Sequence, residues 1–514
     1  MRMEKVNSVT NGMLLKRLLR DLSVHAFHGD DELQIKGLAY DSRAVKPGFL
    51  FVALNGHILD GHAFIEDAVA RGAVAVVVES EEAGKNIEAK IPVVYVPNSR
   101  EALAGLAVSF YHRPFDGLNL IAITGTNGKT TTSYLLESIL LASGARPGVI
   151  GTINYRFPGH ACPASVTTPE SLDLMANLSK IKEAGCTDVI IEVSSHALDQ
   201  GRTRICPFRV GIFTNISRDH LDYHGSMEEY FEAKSRLFRG LKQRGVGDLT
   251  RAVLNYDDPK GRVMSKLTDA EVVTYGLDES CEVRVDQIRM NRTGLCARLF
   301  TPIGEADIRS SLIGGFNIYN ILAASAAALA IGIDLDIIAK GIADLRGVPG
   351  RLEMVENRRS LNIVVDYAHT PDALQKALEA VRPIVKGRLI TVFGCGGDRD
   401  RGKRKEMGIV AGTYSDLVII TSDNPRSEDP YMIISQIEKG VIESGMKKVE
   451  LPLTIEEKGF LIEPDRGRAI QKAVEMSDIK DLILIAGKGH EDYQIIGDHK
   501  RHFDDREKAS EAAS

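Results

Sequence analysis

The sequence predicts an α/β protein of three domains. Apolar, β-branched runs at 73–78, 120–124, 188–193, 210–214, 389–393, 417–421 and 482–486 each end in small or turn residues and lead into helical patterns. Nearly continuous apolar strands alternating with helices mark parallel sheets covered on both faces. A length of 514 residues allows about three units at roughly 150 residues each. Hydrophobic residues make up 44% and charged residues 26%, proportions that exclude disorder as the main state.

From the amino end, the first run lies in a segment closed by His112-Arg113-Pro114-Phe115-Asp116-Gly117. Proline and glycine stop a helix there, and a new strand begins at Leu120. Arg346-Gly347-Val348-Pro349-Gly350 breaks a second helix. The expected domains are therefore 1–113, 114–347 and 348–514. Residues 321–333 are apolar but stop at Asp334, too short to span a bilayer. No long apolar core follows the basic residues near the amino end, so no secretory signal is expected. Residues 508–514 are small and polar and are expected to fray.

Lys and Arg total 64 against 70 Asp and Glu, a net charge of −6. That balance gives no overall electrostatic footprint for nucleic acid or an anionic membrane. The six cysteines, at 162, 186, 206, 281, 296 and 395, form no C-x-x-C pair. They fit a reducing, cytoplasmic setting and are expected to be buried small hydrophobes.

The strongest chemical signal is Thr124-Gly125-Thr126-Asn127-Gly128-Lys129-Thr130-Thr131, between the run 120–124 and a helix expected near Ser133. Glycines let backbone N–H groups turn onto phosphate oxygens, and a helix N-terminus adds its positive end. Lys129 can reach outer phosphates, and the Thr130 hydroxyl can ligate Mg²⁺. Ile123 stands where a full G-x-x-x-x-G-K-[ST] match requires glycine. Glu192, at the carboxyl end of the next run, is a candidate Mg²⁺ ligand, because ligands in open α/β sheets bind at that edge.

The loop 124–131 resembles the shortened phosphate loop of the Mur ligases and folylpolyglutamate synthetases. Further segments fall into Mur ligase order from Asp41 to Glu491. The resemblance implies a UDP-sugar domain, a central ATPase and a Rossmann-like C-terminal domain. It also implies that an amino acid joins UDP-MurNAc-L-Ala-D-Glu through an acyl phosphate. Thr214-Asn215 and Asp219-His220 match T-N-x-x-x-D-H, which implies that His220 helps hold a second Mg²⁺. Glu232-Ala233-Lys234 sits on an amphipathic helix where composition alone predicts a solvated lysine. The resemblance implies instead that Lys234 is carbamylated, as N6-carboxylysine. A confined lysine with a lowered pKa can add CO₂ as its neutral amine, and the carbamate oxygens suit a hard cation.

Asn317 and Asn320 share a helix face. The resemblance brings Asn317 to the nucleotide base and Arg351 and Asp366, of G-R-x-E and D-Y-A-H-x-P motifs, to ATP when domains close. Asp41-Ser42-Arg43 and the run through Gly56 and Gly61 resemble a UDP-binding segment, implying contacts from Ser42, His57, Ile58 and Leu59. Thr167 and Thr168 match a T-T-P loop near the sugar-peptide, although Val166 stands where relatives often carry Asn. Ser194, Gln200 and Arg202 match S-S-H-x-L-x-Q-x-R.

Asp423-Asn424-Pro425-Arg426 resembles the D-N-P-R motif of family members that use meso-diaminopimelate. Such an amino acid carries a second zwitterionic head where lysine has only an ammonium. Arg426 suits the extra carboxylate by two-pronged pairing, and Arg399 can hold the other. Asp423 and Glu491 can pair the ammonium, with Gly487 beside them. The expected protein is thus an ATP-dependent ligase of peptidoglycan synthesis. A lysine-adding or folate-glutamylating relative and a nucleotide switch without ligase chemistry are the rival readings.

Overall fold

Alternation along the strands decides the layers, because successive side chains point to opposite faces. In Leu482–Ala486, Leu482, Leu484 and Ala486 enter one core while Ile483 and Ile485 enter another. Each face therefore needs its own cover of helices. The computed structural model describes residues 12–56, 59–85, 87–88, 90–241, 249–450 and 458–514. The chain divides into two compact units: Met1–Lys129 with Ser143–Tyr275 and Ala326–Gly332, and Thr130–Ala142 with Gly276–Ser325 and Ile333–Ser514.

The first unit holds two larger sheets besides the antiparallel pair Met13–Leu14 and Gln34–Ile35. The smaller is five-stranded, ordered Ala26–His28, Val93–Tyr95, Ala73–Val78, Phe49–Val52, Gly37–Ala39, and is parallel except at its first pair. Its neighbour has eight strands. Five parallel pairings join Pro147–Ile150, Asp188–Glu192, Asn119–Thr124, Phe208–Phe213, Arg251–Asn255 and Glu271–Tyr275, and an antiparallel hairpin, Asn154–Phe157 with His160–Pro163, closes one edge. Leu50, Val77, Leu120 and Ile191 belong to one continuous apolar core. In the eight-stranded sheet Ile123 pairs with Glu192 and Thr124 with Phe213. Three strand ends therefore open side by side, at the edge where such sheets bind ligands.

The second unit holds a three-stranded antiparallel sheet of Arg284–Asn291, Gly294–Thr301 and Gly304–Ser310. Its six-stranded sheet is ordered Glu353–Met354, Asn362–Asp366, Leu482–Ala486, Leu389–Phe393, Leu417–Ile420, Gly459–Ile462, parallel after the first pair. Asp366, Ala486, Phe393 and Ile420 align at one end. The loops that follow carry the D-Y-A-H, G-K-G-H-E and D-N-P-R segments.

Three sequence expectations need correction. The helix after the phosphate loop starts at Lys129, not near Ser133, because the glycine turn already supplies its first N–H groups. The tail does not fray: Asp505–Ala512 is a helix whose Ala509 is buried. There the fully buried Arg466 meets Asp505 in a two-pronged pair at 2.7 and 2.6 Å. Cys296 is exposed and Cys162 half-buried rather than buried, although all six cysteines are free thiols.

Candidate active site

In the first unit, the strand ending at Thr124 turns sharply at Gly125, whose φ of +148° favours glycine. A Cβ there would also overlap the Thr214 hydroxyl. The loop is braced by the neighbouring strand's extension. Asn127 N donates to Asn215 Oδ1 at 3.0 Å, Thr214 Oγ1 to Asn127 O at 2.7 Å, and Ser217 N to Thr126 Oγ1 at 3.0 Å. Gly128 also takes positive φ. Lys129 opens the helix Lys129–Ala142 and folds back, donating to Gly125 O at 2.8 Å and Thr126 O at 2.9 Å. Thr130 and Thr131 are buried in its first turn.

Lys234 lies on Met227–Arg239, an amphipathic helix capped by Ser226. It is 1% exposed, not a solvated surface lysine. Its Nζ donates to Gly125 O at 3.0 Å and lies 4.4 Å from the Tyr230 ring centre. Burial, and then the Lys129 charge, push its pKa well below the usual lysine range, against a smaller pull from Asp219. Tyr230 ties this lysine to the loop, its hydroxyl 3.1 Å from Thr126 Oγ1. His220 sits nearby in the left-handed region at φ 54°, its ring edge-on to Tyr230 and His196. Burial lowers its pKa, as it lowers that of His196 to about 4.

Glu192 is buried at its strand end and accepts from Thr152 Oγ1 at 2.7 Å and Thr152 N at 3.2 Å. Thr152 Oγ1 lies 3.2 Å from Thr167 Oγ1. Thr168 Oγ1 donates to Glu192 O at 2.8 Å and accepts from Ser194 N. Arg202 donates to Thr168 O at 2.9 Å and to Gln200 Oε1 at 2.6 Å, and it flanks Glu170, which also pairs with Arg100. The sequence-predicted Thr167, Thr168, Ser194, Gln200 and Arg202 thus form one bonded cluster beside Glu192. Ser42 is buried, whereas Leu59 is 67% exposed. His57 and Ile58 lie outside the described residues.

In the second unit, Asn317 and Asn320 do share a face, with Asn320 Nδ2 donating to Asn317 Oδ1 at 2.8 Å. Asn317 also donates to Ile313 O at 2.7 Å. Asp366 is buried and accepts from Leu352 N at 2.7 Å and Ala368 N at 2.8 Å, so it staples its own loops together. Burial raises its pKa, opposed by the Arg351 charge. The Arg351 guanidinium lies 4.9 Å from the Tyr367 ring centre, and its buried Nε has no hydrogen-bond partner.

The remaining predicted residues gather at the other strand ends of that sheet. Asn424 Nδ2 donates to Glu491 Oε2 at 3.0 Å. Arg426 takes φ 51° and donates from Nη1 to Gly397 O at 2.8 Å. Pro425 O and Gly397 approach so closely that a Cβ on Gly397 would overlap that oxygen. Gly487, at φ 115°, follows the strand, while Arg399 is exposed. Lys488 Nζ lies 3.4 Å from Asp423 Oδ1, 3.2 Å from Asn424 Oδ1 and 3.3 Å from Glu491 Oε2. Behind the pocket, Arg466 donates to Ala486 O at 3.0 Å and Ser422 O at 3.4 Å, so the Arg466–Asp505 pair braces both loops. Sequence reasoning missed Tyr230, Glu170 and Lys488. Tyr230 had a signal, its i, i+4 spacing from Lys234, and Lys488 lay unassigned inside a segment already singled out.

Among the described residues no three of His, Cys, Asp and Glu are grouped to hold a metal. No helix among them is long and apolar enough to cross a membrane.

Three family models match the chain: the Mur ligase family catalytic domain over residues 34–111, the Mur ligase middle domain over 123–328, and the Mur ligase glutamate ligase domain over 350–489. A Geobacter sulfurreducens protein named UDP-N-acetylmuramoyl-L-alanyl-D-glutamate–2,6-diaminopimelate ligase is 47% identical, over 97% of this chain and 98% of its own. One of the same name from Geobacillus kaustophilus is 46% identical, over 96% and 98%. A solved structure bearing that name aligns with a TM-score of 0.68 at 32% identity, over 98% of this chain and 99% of its own.

Proposed function

We infer that this chain, which belongs to the Mur ligase family, is an ATP-dependent carbon–nitrogen ligase that joins meso-2,6-diaminopimelate to the D-Glu γ-carboxylate of UDP-MurNAc-L-Ala-D-Glu. The product is a peptidoglycan precursor, so the activity serves the cell wall, cell shape and division. The observation that carries the choice of amino acid is the gathering of Asp423, Asn424, Arg426 and Glu491 at one sheet end. The domain limits we assign are 1–113, 114–347 and 348–514, supported by family matches that each fall within one of them. Free cysteines and the ATP requirement support a cytoplasmic location.

ATP transfers its γ-phosphoryl group to the D-Glu carboxylate. The amine of diaminopimelate then attacks the acyl carbon, the C–N bond forms, phosphate leaves with the C–O bond, and the amine loses a proton. Backbone N–H groups of Gly125, Thr126, Asn127 and Gly128 would cradle phosphates, those of Thr126 and Asn127 by leaving Asn215 O and Oδ1, with Thr131 in the first helical turn. Lys129 would exchange its loop carbonyls for phosphate oxygens and, with Arg351, neutralise the transferring group, where catalysis is mainly electrostatic. Asn317 would meet the base, and Asp366 would hold the Arg351 loop. Ser42, His57, Ile58 and Leu59 would contact the uridine diphosphate. Thr167, Thr168, Ser194, Gln200 and Arg202 would grip the sugar-peptide. Arg399, Arg426, Asp423, Asn424, Pro425, Gly487 and Glu491 would take the diaminopimelate head.

Mg²⁺ would be held by Thr130, Glu192, His220 and Lys234 as its carbamate. When bound it would neutralise phosphate charge. The donor set fits only if Lys234 is modified, because an ammonium cannot ligate. The buried amine of Lys234 supports that modification: its pKa is lowered, and its described hydrogen bond goes to a carbonyl rather than a carboxylate. Phosphate release measured with ATP, with and without UDP-MurNAc-L-Ala-D-Glu plus diaminopimelate, tests the reading. Release that ignores both substrates would make the chain a nucleotide switch instead.

A further inference from the structure

Lys488 is wholly buried, yet its ammonium has three acceptors for its three N–H bonds: Asp423 Oδ1, Asn424 Oδ1 and Glu491 Oε2. The Tyr493 ring centre lies 5.4 Å away. A lysine that keeps its charge is seldom fully buried unless paired. Here its partners are the two carboxylates that the proposed pocket offers to the incoming amine. The same partners are fixed from other sides, since Ile495 N donates to Asn424 Oδ1 at 3.0 Å and Gln494 Nε2 to Asp423 O at 2.7 Å. The described hydrogen bonds use only Asp423 Oδ1 and Glu491 Oε2, so the second oxygen of each carboxylate remains for a ligand.

Resting on the diaminopimelate reading, we propose that Lys488 is a positioning residue that sets the choice between a zwitterionic head and a bare ammonium. Asp423 and Glu491 bring two negative charges, and Lys488 and Arg426 bring two positive ones, while Arg399 answers the other carboxylate, which lysine shares. A balanced pocket suits a balanced ligand: the ammonium of diaminopimelate takes the free carboxylate oxygens while its carboxylate takes Arg426. A lysine ammonium takes the same oxygens but leaves Arg426 unpaired and the site net positive. Without Lys488 the pocket is net negative, and the bare ammonium becomes the ligand that neutralises it. Lys488 therefore favours diaminopimelate twice, by fixing the carboxylates and by cancelling one of their charges.

The experiment measures amide formation by the full chain with ATP, UDP-MurNAc-L-Ala-D-Glu and either meso-diaminopimelate or L-lysine. In Lys488→Met the kcat/KM preference for diaminopimelate should fall about tenfold or more, the scale of a buried charge pair, while the KM for ATP stays within about twofold. Asp423→Asn alone leaves Glu491 as the one carboxylate shared by Lys488 and the ligand ammonium, and should weaken use of both amines. The double variant Lys488→Met/Asp423→Asn restores the charge balance. It should regain about tenfold over Asp423→Asn in use of diaminopimelate, the coupling expected of residues in contact. That comparison stands even if Lys488→Met alone fails to fold. A Lys488→Met variant with wild-type preference, or a double variant no better than Asp423→Asn, overturns the proposal while leaving the parent reading intact. A wild-type chain that prefers lysine overturns both.

Discussion

Lys129 and Lys234 donate to one carbonyl oxygen, that of Gly125, at 2.8 and 3.0 Å. Two ammonium groups on one acceptor each raise the cost of charge on the other, and burial adds to the cost for Lys234. The arrangement separates two lysines that look alike in sequence. Lys129 also holds Thr126 O, while Lys234 is driven towards a neutral amine.

Lys129→Ala should remove the cation of the phosphate loop and lower ATP-dependent ligation by about 10²–10³-fold, the scale of losing one preorganised charge donor. The thermal melt should change little, because the described partners that it loses are loop carbonyls. Ligation within tenfold of wild type would remove the loop from the mechanism.

Lys234→Ala should also lose activity, for a different reason. If a carbamate supplies the oxygens, short carboxylic acids added to the assay should partly restore turnover in Lys234→Ala and not in Lys129→Ala. Full activity in Lys234→Ala without added acid would leave this buried lysine a packing residue only.

Arg426→Ala should cost about 2–5 kcal/mol in use of diaminopimelate, the usual loss for a desolvated charge-assisted contact. The KM for ATP and for the UDP-sugar should stay close to wild type, and the low use of lysine should not fall. Arg426→Lys should rescue only part, since an ammonium cannot make the two-pronged contact. Amide formation across several concentrations of each amino acid reads all three outcomes.

His490 gives an acid-stability prediction. Burial, and then the charges of Arg351 and Arg506, lower its pKa to about 4 from 6.5. The unfolded chain therefore binds the proton first as pH falls, so stability is intact above about 6.5 and is lost progressively down to about 4. For one such histidine the loss is about 3 kcal/mol by linkage. His490→Phe keeps a ring against Tyr367 and gives up an Nδ1 that has no partner. Denaturant melts between pH 7 and 4 should show a shallower decline in that variant, and an unchanged slope would count against a neutral His490.

The α/β class was legible because strands buried on both faces read as apolar runs, as at 482–486. The phosphate loop was legible because glycines and a lysine at fixed spacing have few other uses. Lys234 was misread by composition, since a long charged side chain on an amphipathic helix normally faces water. Only the tertiary closeness of Gly125 and Tyr230 shows that it does not. Asp505 lies just before the residues expected to fray and went unnoticed. Its partner Arg466 is remote in sequence, and one carboxylate among several neighbouring charges carries no local signal of burial. Lys488 escaped because a one-sequence reading sees the charges of a motif but not which of them cancel.

The Arg466–Asp505 pair ties synthesis to function. Arg466 holds the carbonyls of Ser422 and Ala486, the residues just before Asp423 and Gly487, and its described ion pair is with Asp505. A nascent chain that has released the D-N-P-R and G-K-G-H-E loops but not residue 505 carries an uncompensated guanidinium where the sheet must close. The amino-acid pocket therefore cannot set until residue 505 has left the ribosome. A truncation or bulky fusion that displaces the helix Asp505–Ala512 would disturb substrate choice from behind, without touching any residue that meets the substrate.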